Sequence, residues 1–294
     1  MRWARRARMK VRHDMPQQPR PLSLAALTVL ELAPPEMVSC AAAAGFSHAG
    51  LRLIPATPDD RRSPVIGDTP MVRDIRSRLA SEGVAVLDVE VFRLKPDTNV
   101  DDFLPALETA ASLGAKHLLT TGQDPDMRRL RDTFAALCAL ARRYALTVDL
   151  EFMRWTEIAT LAQARALVEA SGAENAGIIV DALHFNRTGA TLDDLRALPP
   201  QRLHFAQLCD APAAMPPTID AIIQEARTAR LPPGAGQLDL VSFVRTLPSQ
   251  LPLSIEVPTA HMADAVERAR TLRNAALSVL AAAQAADNSP ERAA

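Results

Sequence analysis

The stretch Gly177-Ile178-Ile179-Val180-Asp181-Ala182-Leu183-His184 decides the fold of this chain. A glycine and three β-branched residues run directly into an aspartate, and a histidine follows three positions later. Continuous apolar runs of this kind are typical of strands that are buried on both faces in a parallel sheet. Side chains at the carboxyl ends of such strands form the active sites of α/β sheets and barrels. The stretch therefore predicts a buried strand with a functional aspartate at its tip.

A short apolar strand followed by a helix recurs along the whole chain. We predict strands over residues 22–30, 48–54, 84–92, 117–121, 146–153, 177–181, 203–208 and 253–257. Helices are predicted after each of these strands except the seventh, the last over residues 262–286. Eight such units in one chain of 294 residues predict an α/β fold, a single (β/α)8 TIM barrel over residues 21–287. A doubly wound sheet is the alternative, but the sequence has no glycine-rich phosphate-binding motif after its first strand.

The two ends of the chain do not fit this pattern. Residues 1–20 are rich in arginine and lack the apolar segment of a secretory signal, so we predict a disordered basic N-terminal extension. Residues 288–294 are predicted to be a frayed tail. No apolar run reaches the roughly 18–20 residues that a membrane span needs, and we expect no membrane partner.

Composition excludes several classes of protein. A hydrophobic fraction of 48% with 23% charged residues is typical of a globular protein rather than a disordered one. The net charge of −1 argues against a nucleic-acid partner, which a strongly basic protein would suit better. Cys40, Cys138 and Cys209 are odd in number and form no CxxC pair, which favours a reducing, cytoplasmic location. A homo-oligomer is left open.

Three late strands carry an acid near the carboxyl end, in the sequences Thr147-Val148-Asp149-Leu150-Glu151, Ile179-Val180-Asp181 and Ser254-Ile255-Glu256. Side chains alternate along a strand, so each acid can be tested against its neighbours. If Glu151, Asp181 and Glu256 face the barrel lumen, the residues on either side of each acid are apolar and face the helices. We therefore predict that the three acids converge, although each could instead be a cap or an ion-pair partner.

Two glutamates, an aspartate and a neutral donor would form an oxygen-rich site for one divalent metal ion. Such ligands suit Mn²⁺, Mg²⁺ or Co²⁺ better than structural zinc. His184 follows Asp181 closely enough to contact substrate beside that ion. His204, by contrast, lies on the opposite parity from Gln207 and is predicted to point into the helical layer.

The order Glu151, Asp181 with His184, Gln207 with Asp210, then Glu256 resembles the xylose isomerase-like TIM-barrel superfamily, the sugar phosphate isomerase/epimerase group. The resemblance runs from about Leu22 to Ala285 and includes the loop Arg230-Leu231-Pro232-Pro233-Gly234-Ala235-Gly236. It implies that the metal ligands are Glu151, Asp181, Gln207 and Glu256, and that His184 contacts substrate. Many members carry histidine where this chain has Gln207, which leaves metal preference open.

The resemblance implies a small polyhydroxylated keto substrate and proton transfer at the carbon α to its carbonyl. Glu151 and Glu256 would be the catalytic acid and base, and the metal would stabilise an enediolate. Arg52 and Glu90, near the ends of strands two and three, are predicted to bind substrate. Isomerisation or epimerisation is the leading hypothesis. A dehydratase acting on dehydroshikimate or an inosose, and a non-catalytic barrel that binds a sugar or a partner, are the alternatives.

Overall fold

The computed structural model describes residues 20–57, 60–259 and 264–287. The predicted frayed tail and nearly all of the predicted basic extension lie outside these residues, as does the predicted start of the last helix. Arg20 is described, and its Nε donates a hydrogen bond to the carbonyl oxygen of Leu251, 2.7 Å away. No helix among the described residues combines the length and the apolar character that a membrane crossing requires.

Eight parallel strands close into a barrel, in which each strand pairs with the next and the last pairs with the first. The ring closes where Leu24 lies beside Ile255. The predicted (β/α)8 barrel is therefore confirmed. The strands are β1 Leu22–Leu24, β2 His48–Arg52, β3 Ala85–Leu94, β4 His117–Gly122, β5 Thr147–Glu151, β6 Ala176–Asp181, β7 Ala206–Leu208 and β8 Leu253–Ile255.

Helices connect these strands, and the sequence marks many of their ends. Thr160 accepts a hydrogen bond from the backbone of Gln163 at the start of one helix, and Gly172 ends that helix in a left-handed conformation with φ 66°. The helices are α1 Pro34–Ala44, α2 Pro70–Glu82, α3 Leu104–Ser112, α4 Met127–Arg142, α5 Leu161–Ser171, α6 Ala182–Arg187, α7 Leu192–Arg196, α8 Ile219–Thr228, α9 Leu240–Thr246 and α10 Ala265–Asp287.

The first predicted strand, over residues 22–30, is wrong beyond Leu24. Ala26–Val29 instead form a 3₁₀ turn. The cause is Thr28, whose hydroxyl donates to the carbonyl oxygen of Ile255 and accepts from the backbone of Val257. These two bonds bend the chain across the end of β8. We predict no helix at the positions of α6, α8 and α9; α6 starts directly after β6, with Asp181 as its N-cap.

The predicted alternation of side chains is confirmed on β5, β6 and β8. Val148, Leu150, Ile178, Val180, Leu253 and Ile255 belong to the large apolar core between the strands and the helices. Ile179, which has the parity of Asp181, belongs instead to a small apolar cluster with Leu87, Val91, Leu119 and Phe205. The sheet therefore has a dry outer face and a lumen that becomes polar toward the strand ends.

Candidate active site

A cavity of about 450 Å³ lies at the carboxyl ends of the strands. Five of the predicted site residues line it: Arg52, Glu90, Glu151, His184 and Glu256. Asp181 and Gln207 are buried side by side at paired positions of β6 and β7, without lining the cavity themselves. The structure therefore brings the predicted residues together at one end of the barrel, where barrel enzymes carry their chemistry.

Arg230 is the central cation of this site. Its Nη1 lies 2.6 Å from Asp181 Oδ2, and its Nη2 lies 2.9 Å from Glu256 Oε2. Burial would raise the pKa of Asp181, but Arg230 and His184 together hold it below the ordinary value for an aspartate. The sequence placed Arg230 in a family-like loop without giving it a role. Its guanidinium joins the acids of β6 and β8.

Asp210 shapes the loop that carries Arg230. Its Oδ2 accepts a hydrogen bond from the backbone of Gly234, and its Oδ1 accepts from Ala211 and Leu238. Asp210 and Leu231 also exchange two backbone hydrogen bonds of 2.8 and 2.9 Å. A side chain at Gly236 would collide with Asp210 and the carbonyl of Ala211, so only glycine fits there. Asp210 is therefore an anchor that fixes the position of Arg230.

Glu151 and Glu256 differ in how far neighbouring positive charge offsets the effect of burial on the pKa of each side chain. Burial raises the pKa of Glu151 well above its ordinary value, and Glu256 and Asp181 add to the effect. Burial also raises the pKa of Glu256, to about 7, although Arg230 opposes it. His184 Nε2 lies 3.8 Å from Glu151 Oε1, but burial lowers the pKa of His184 to about 4. Arg230 lowers the pKa of Glu151 but does not offset the effect of burial and of the neighbouring acids.

The donor set fits a hard divalent ion. Gln207 Nε2 donates to Glu256 Oε1 at 3.0 Å, whereas the buried Gln207 Oε1 has no hydrogen-bond partner among the described residues. A buried carbonyl oxygen without a donor is costly unless a ligand satisfies it. Arg230 is the buried guanidinium that pairs with Asp181 and Glu256, and burial still raises the pKa of both Glu151 and Glu256, so a divalent cation would favour their negatively charged forms. Oxygen donors with that charge suit Mg²⁺ or Mn²⁺.

Arg52 and Glu90 lie in the cavity wall as a bonded pair. Arg52 donates to Glu90 Oε1 through Nε at 2.9 Å and through Nη2 at 2.6 Å. Its Nη1 donates to Asp60 Oδ2 at 3.2 Å. All three nitrogens of the guanidinium are thus engaged. Direct binding of a substrate anion by Arg52 would have to displace one of these carboxylates, and its role in substrate binding stays a prediction.

Sequence reasoning missed several residues that line the cavity, among them Arg93, Thr121 and Trp155. The ring of Trp155 lies edge-on to His184, with the centroids 5.1 Å apart. Strand β3 was predicted to stop at Phe92 but runs to Leu94, which places Arg93 at its carboxyl end. A register shift between Val89 and Phe92 inserts one extra residue into β3 and reverses the alternation beyond it. Arg93 therefore lies beyond the predicted end of the strand, where alternation counted from Glu90 does not apply.

A second polar group lies near the amino-terminal ends of the strands. His204 Nδ1 is 2.6 Å from Asp149 Oδ1, and the ring of His204 stacks on His117 with centroids 5.6 Å apart. The prediction that His204 points into the helical layer is wrong, because the residue precedes β7 and strand alternation does not apply to it. Thr147 completes the group by hydrogen bonding to both Asp149 and His117.

This second group could hold a metal ion. Within the described part of the chain, it is the one set of three His, Cys, Asp or Glu residues whose ligand atoms all lie within 4.8 Å of one another. The predicted carboxylate set does not meet that distance, and Arg230 lies between two of its members. The hydrogen bonds within the second group already satisfy both oxygens of Asp149, so the group needs no ion.

The closed barrel with acids at its strand ends defines a class of TIM-barrel proteins whose sites lie among the loops after the strands. The chain belongs to the family described as "Xylose isomerase-like TIM barrel", whose sequence model matches residues 38–291. An inosose isomerase from Bacillus licheniformis is 25% identical over 159 residues, which cover 50% of this chain and 55% of that protein. An inosose isomerase from Halalkalibacterium halodurans is 26% identical over 106 residues, or 33% of this chain and 38% of that protein. The chain thus spans at most about half the length of these curated relatives.

Solved structures share the fold over nearly the whole barrel. The crystal structure of an IOLI protein with a bound zinc atom has a TM-score of 0.73 and 18% identity, and the match covers 89% of this chain and 98% of that one. An L-ribulose 3-epimerase has a TM-score of 0.70 and 15% identity, and the match covers 91% of this chain and 97% of that one. A fusion protein of a xylose isomerase-like TIM barrel with 4-hydroxyphenylpyruvate dioxygenase has a TM-score of 0.73 and 21% identity. The match covers 88% of this chain and 42% of that one.

Proposed function

We propose that this protein is a divalent-metal-dependent isomerase or epimerase that moves a proton α to the carbonyl of a small polyhydroxylated substrate. One observation carries the proposal. Glu151 and Glu256 stand at the ends of strands that are not neighbours, yet both line the same 450 Å³ cavity. Two carboxyl groups that reach one cavity from different strands can serve two faces of one carbon, as a base and an acid must.

Glu151, Asp181, Gln207 and Glu256 would hold the metal ion. When bound, the ion would supply positive charge to the substrate oxygens on which negative charge develops. The unpartnered Gln207 Oε1 and the incompletely balanced carboxylates support this assignment. Similarity to sugar-acting proteins, among them the inosose isomerases and the L-ribulose 3-epimerase, supports the choice of substrate class.

The protein's own side chains carry the proton. One of Glu151 and Glu256 removes it from the α carbon, and the other returns it. Return to the opposite face gives epimerisation, and return to the neighbouring carbon gives isomerisation. Arg230 keeps Glu256 in place through a 2.9 Å contact. His184, buried against Trp155, is positioned to hydrogen bond a substrate hydroxyl.

A dehydratase is the second candidate, and Gln207 favours it. The amide replaces the histidine that the sugar isomerase/epimerase pattern usually has at this position. The first step is the same proton removal, but the β-hydroxyl group then leaves as water after protonation by the other carboxyl group, and no proton returns to the α carbon. Solvent deuterium would appear at the α carbon after epimerisation and at the neighbouring, former carbonyl carbon after isomerisation, and its absence from a dehydrated product would identify the lyase.

The test is turnover with and without Mn²⁺ on a panel of keto-sugars, inososes and dehydroshikimate in D₂O. We expect Mn²⁺-dependent turnover of at least one substrate. We also expect Glu151→Gln and Glu256→Gln to lose about 10²–10⁴-fold of it, the usual size of an acid–base contribution. Glu157→Gln is the matched control, because Glu157 is exposed just beyond β5. Full turnover by either Gln variant of the site would overturn the proposal.

We further infer a cytoplasmic location. Cys40, Cys138 and Cys209 are all buried and free of disulfides, which suits a reducing compartment. The expected absence of nucleic-acid partners and the open question of a homo-oligomer stay as predictions from the sequence.

A further inference from the structure

Two buried polar atoms in the cavity wall have no partner. Arg93 Nε and Thr121 Oγ1 make no hydrogen bond to any described residue. Arg93 pairs with Thr121 across β3 and β4, and Thr121 pairs in turn with Glu151 across β4 and β5. The two side chains therefore lie at one level of the barrel, and both line the cavity that contains Glu151. An N–H donor and an O–H donor lie side by side without acceptors. Because a buried donor without an acceptor is costly, we expect a ligand to supply the acceptor atoms.

The charged side chains that line the cavity also favour a ligand with acceptor atoms and negative charge. Four arginines line it, and two of them are neutralised by carboxylates: Arg52 by Glu90 and Asp60, and Arg230 by Asp181 and Glu256. Arg93 and Arg227 have no ion-pair partner among the described residues. They also lie close enough to repel each other. After burial, Arg227 is the largest of the influences that lower the pKa of Arg93.

Arg93 stands where the central cavity meets an outer one. The outer cavity shares Ala56, Thr57, Val91 and Arg93 with the central cavity. Its wall adds two further cations, Arg62 and Lys95, together with the acids Asp97 and Asp102. A ligand that extends from Glu151 toward Arg93 would thus have room for a group at its far end.

We propose that Arg93, Arg227 and the hydroxyl of Thr121 form an oxyanion subsite that binds a carboxylate or phosphate group of the substrate. The inference rests on the proposed function, because it assumes that the reacting carbons of that substrate lie beside Glu151 and Glu256. A neutral hydroxyl group could accept one hydrogen bond from Arg93, but it would leave two guanidinium charges unbalanced. An oxyanion accepts from both donors, and its negative charge offsets one guanidinium charge in a carboxylate or up to two in a phosphate.

Trp155 provides a readout that does not depend on turnover. It lines the cavity against His184, so ligand binding should change its fluorescence. The probes are D-fructose as the neutral ligand, D-fructose 6-phosphate as its phosphate counterpart and 3-dehydroshikimate as a carboxylate, each titrated with Mg²⁺ present. We expect at least one anionic probe to bind about tenfold or more tightly than D-fructose, the effect of one or two charged hydrogen bonds. Preference for the phosphate or for the carboxylate identifies which oxyanion the subsite takes.

Substitutions then assign the preference to residues. We expect Arg93→Gln to weaken the favoured anionic probe about ten- to a hundredfold. D-fructose should bind as before, Arg93→Lys should recover part of the loss, and Arg227→Gln and Thr121→Val should each cause smaller losses. Arg142→Gln, at an exposed position of α4, is the control. Equal binding of neutral and anionic probes, or an undiminished preference in Arg93→Gln, would overturn the subsite.

These experiments distinguish a wrong assignment of the oxyanion subsite from a wrong assignment of the reaction. Glu151→Gln should strongly reduce turnover and keep the anion preference, because Arg93 is intact. If the wild-type protein turns over a neutral keto-sugar and shows no anion preference, the subsite is wrong and the proposed reaction stands. If Arg93→Gln removes a real preference but no substrate is turned over, the subsite stands and the reaction is wrong.

Discussion

Arg230 Nη1 lies 2.6 Å from Asp181 Oδ2, although the two residues are 49 positions apart in the chain. Asp181 ends β6, and Arg230 follows α8, where its Nε also donates to the carbonyl oxygen of Ala226. Since the same guanidinium reaches Glu256 beyond β8, one side chain fixes the relative positions of two proposed metal ligands. The site is therefore held in place by the protein's own charges.

Replacing Arg230 by Gln should destabilise the fold strongly. The change leaves Asp181 and Glu256 buried without their cation, and breaking a buried ion pair costs about 3–5 kcal/mol. Urea denaturation without added metal measures this loss, and Arg230→Lys, which keeps the charge, should lose less. Saturating Mn²⁺ should restore part of the stability of Arg230→Gln, since the ion would supply positive charge to the same carboxylates. An unchanged free energy of unfolding would show that Arg230 does not compensate them.

Gly177, which opens the deciding stretch, should tolerate no side chain. A Cβ at this position would overlap Asp149 Oδ1 and His204 Nδ1, the two atoms that form the 2.6 Å bond below the site. We expect Gly177→Ala to lower the free energy of unfolding by about 1–3 kcal/mol, the usual cost of overpacking. Ala164→Gly, at a buried position of α5, is a useful comparison, because it should cost only about 1 kcal/mol. A Gly177→Ala variant as stable as the wild type would contradict the close packing.

His117 should make the fold less stable in mild acid. Burial lowers its pKa from 6.5 to about 4, although Asp149 opposes the shift and the neighbouring His204, Lys116 and His48 assist it. Between these two values the unfolded chain binds a proton that the folded chain refuses, so stability falls as pH falls through this window, by at most about 1.4 kcal/mol per pH unit. His204 acts in the opposite direction, since its pKa is raised by its hydrogen bond to Asp149 despite burial.

Comparison with His117→Gln isolates the contribution of His117 from that of His204. Denaturation at several pH values between 4 and 6.5 should show a steeper loss in the wild type than in the variant. Parallel curves for the two proteins would mean that His117 is protonated equally in the folded and unfolded states.

The sequence sufficed for the barrel and for the inward side of Glu151 and Asp181, because β4, β5 and β6 pair in unbroken register. The prediction of side-chain positions was wrong where the strands begin or end at residues other than the predicted ones. Arg93 was missed because β3 runs past its predicted end at Phe92, and His204 was misplaced because it precedes β7. Arg230 could not be placed from the sequence at all, since its partners are brought to it by the loop around Asp210.

The central claim is that one divalent ion binds at Glu151, Asp181, Gln207 and Glu256. Calorimetric titration of Mn²⁺ into the wild-type protein, Asp181→Asn and His204→Asn tests it most directly. We expect one tight site in the wild type, its loss in Asp181→Asn and its retention in His204→Asn. A site that survives in Asp181→Asn and disappears in His204→Asn would place the ion at the His117, Asp149 and His204 group and contradict the account, as would the absence of Mn²⁺ binding in the wild type.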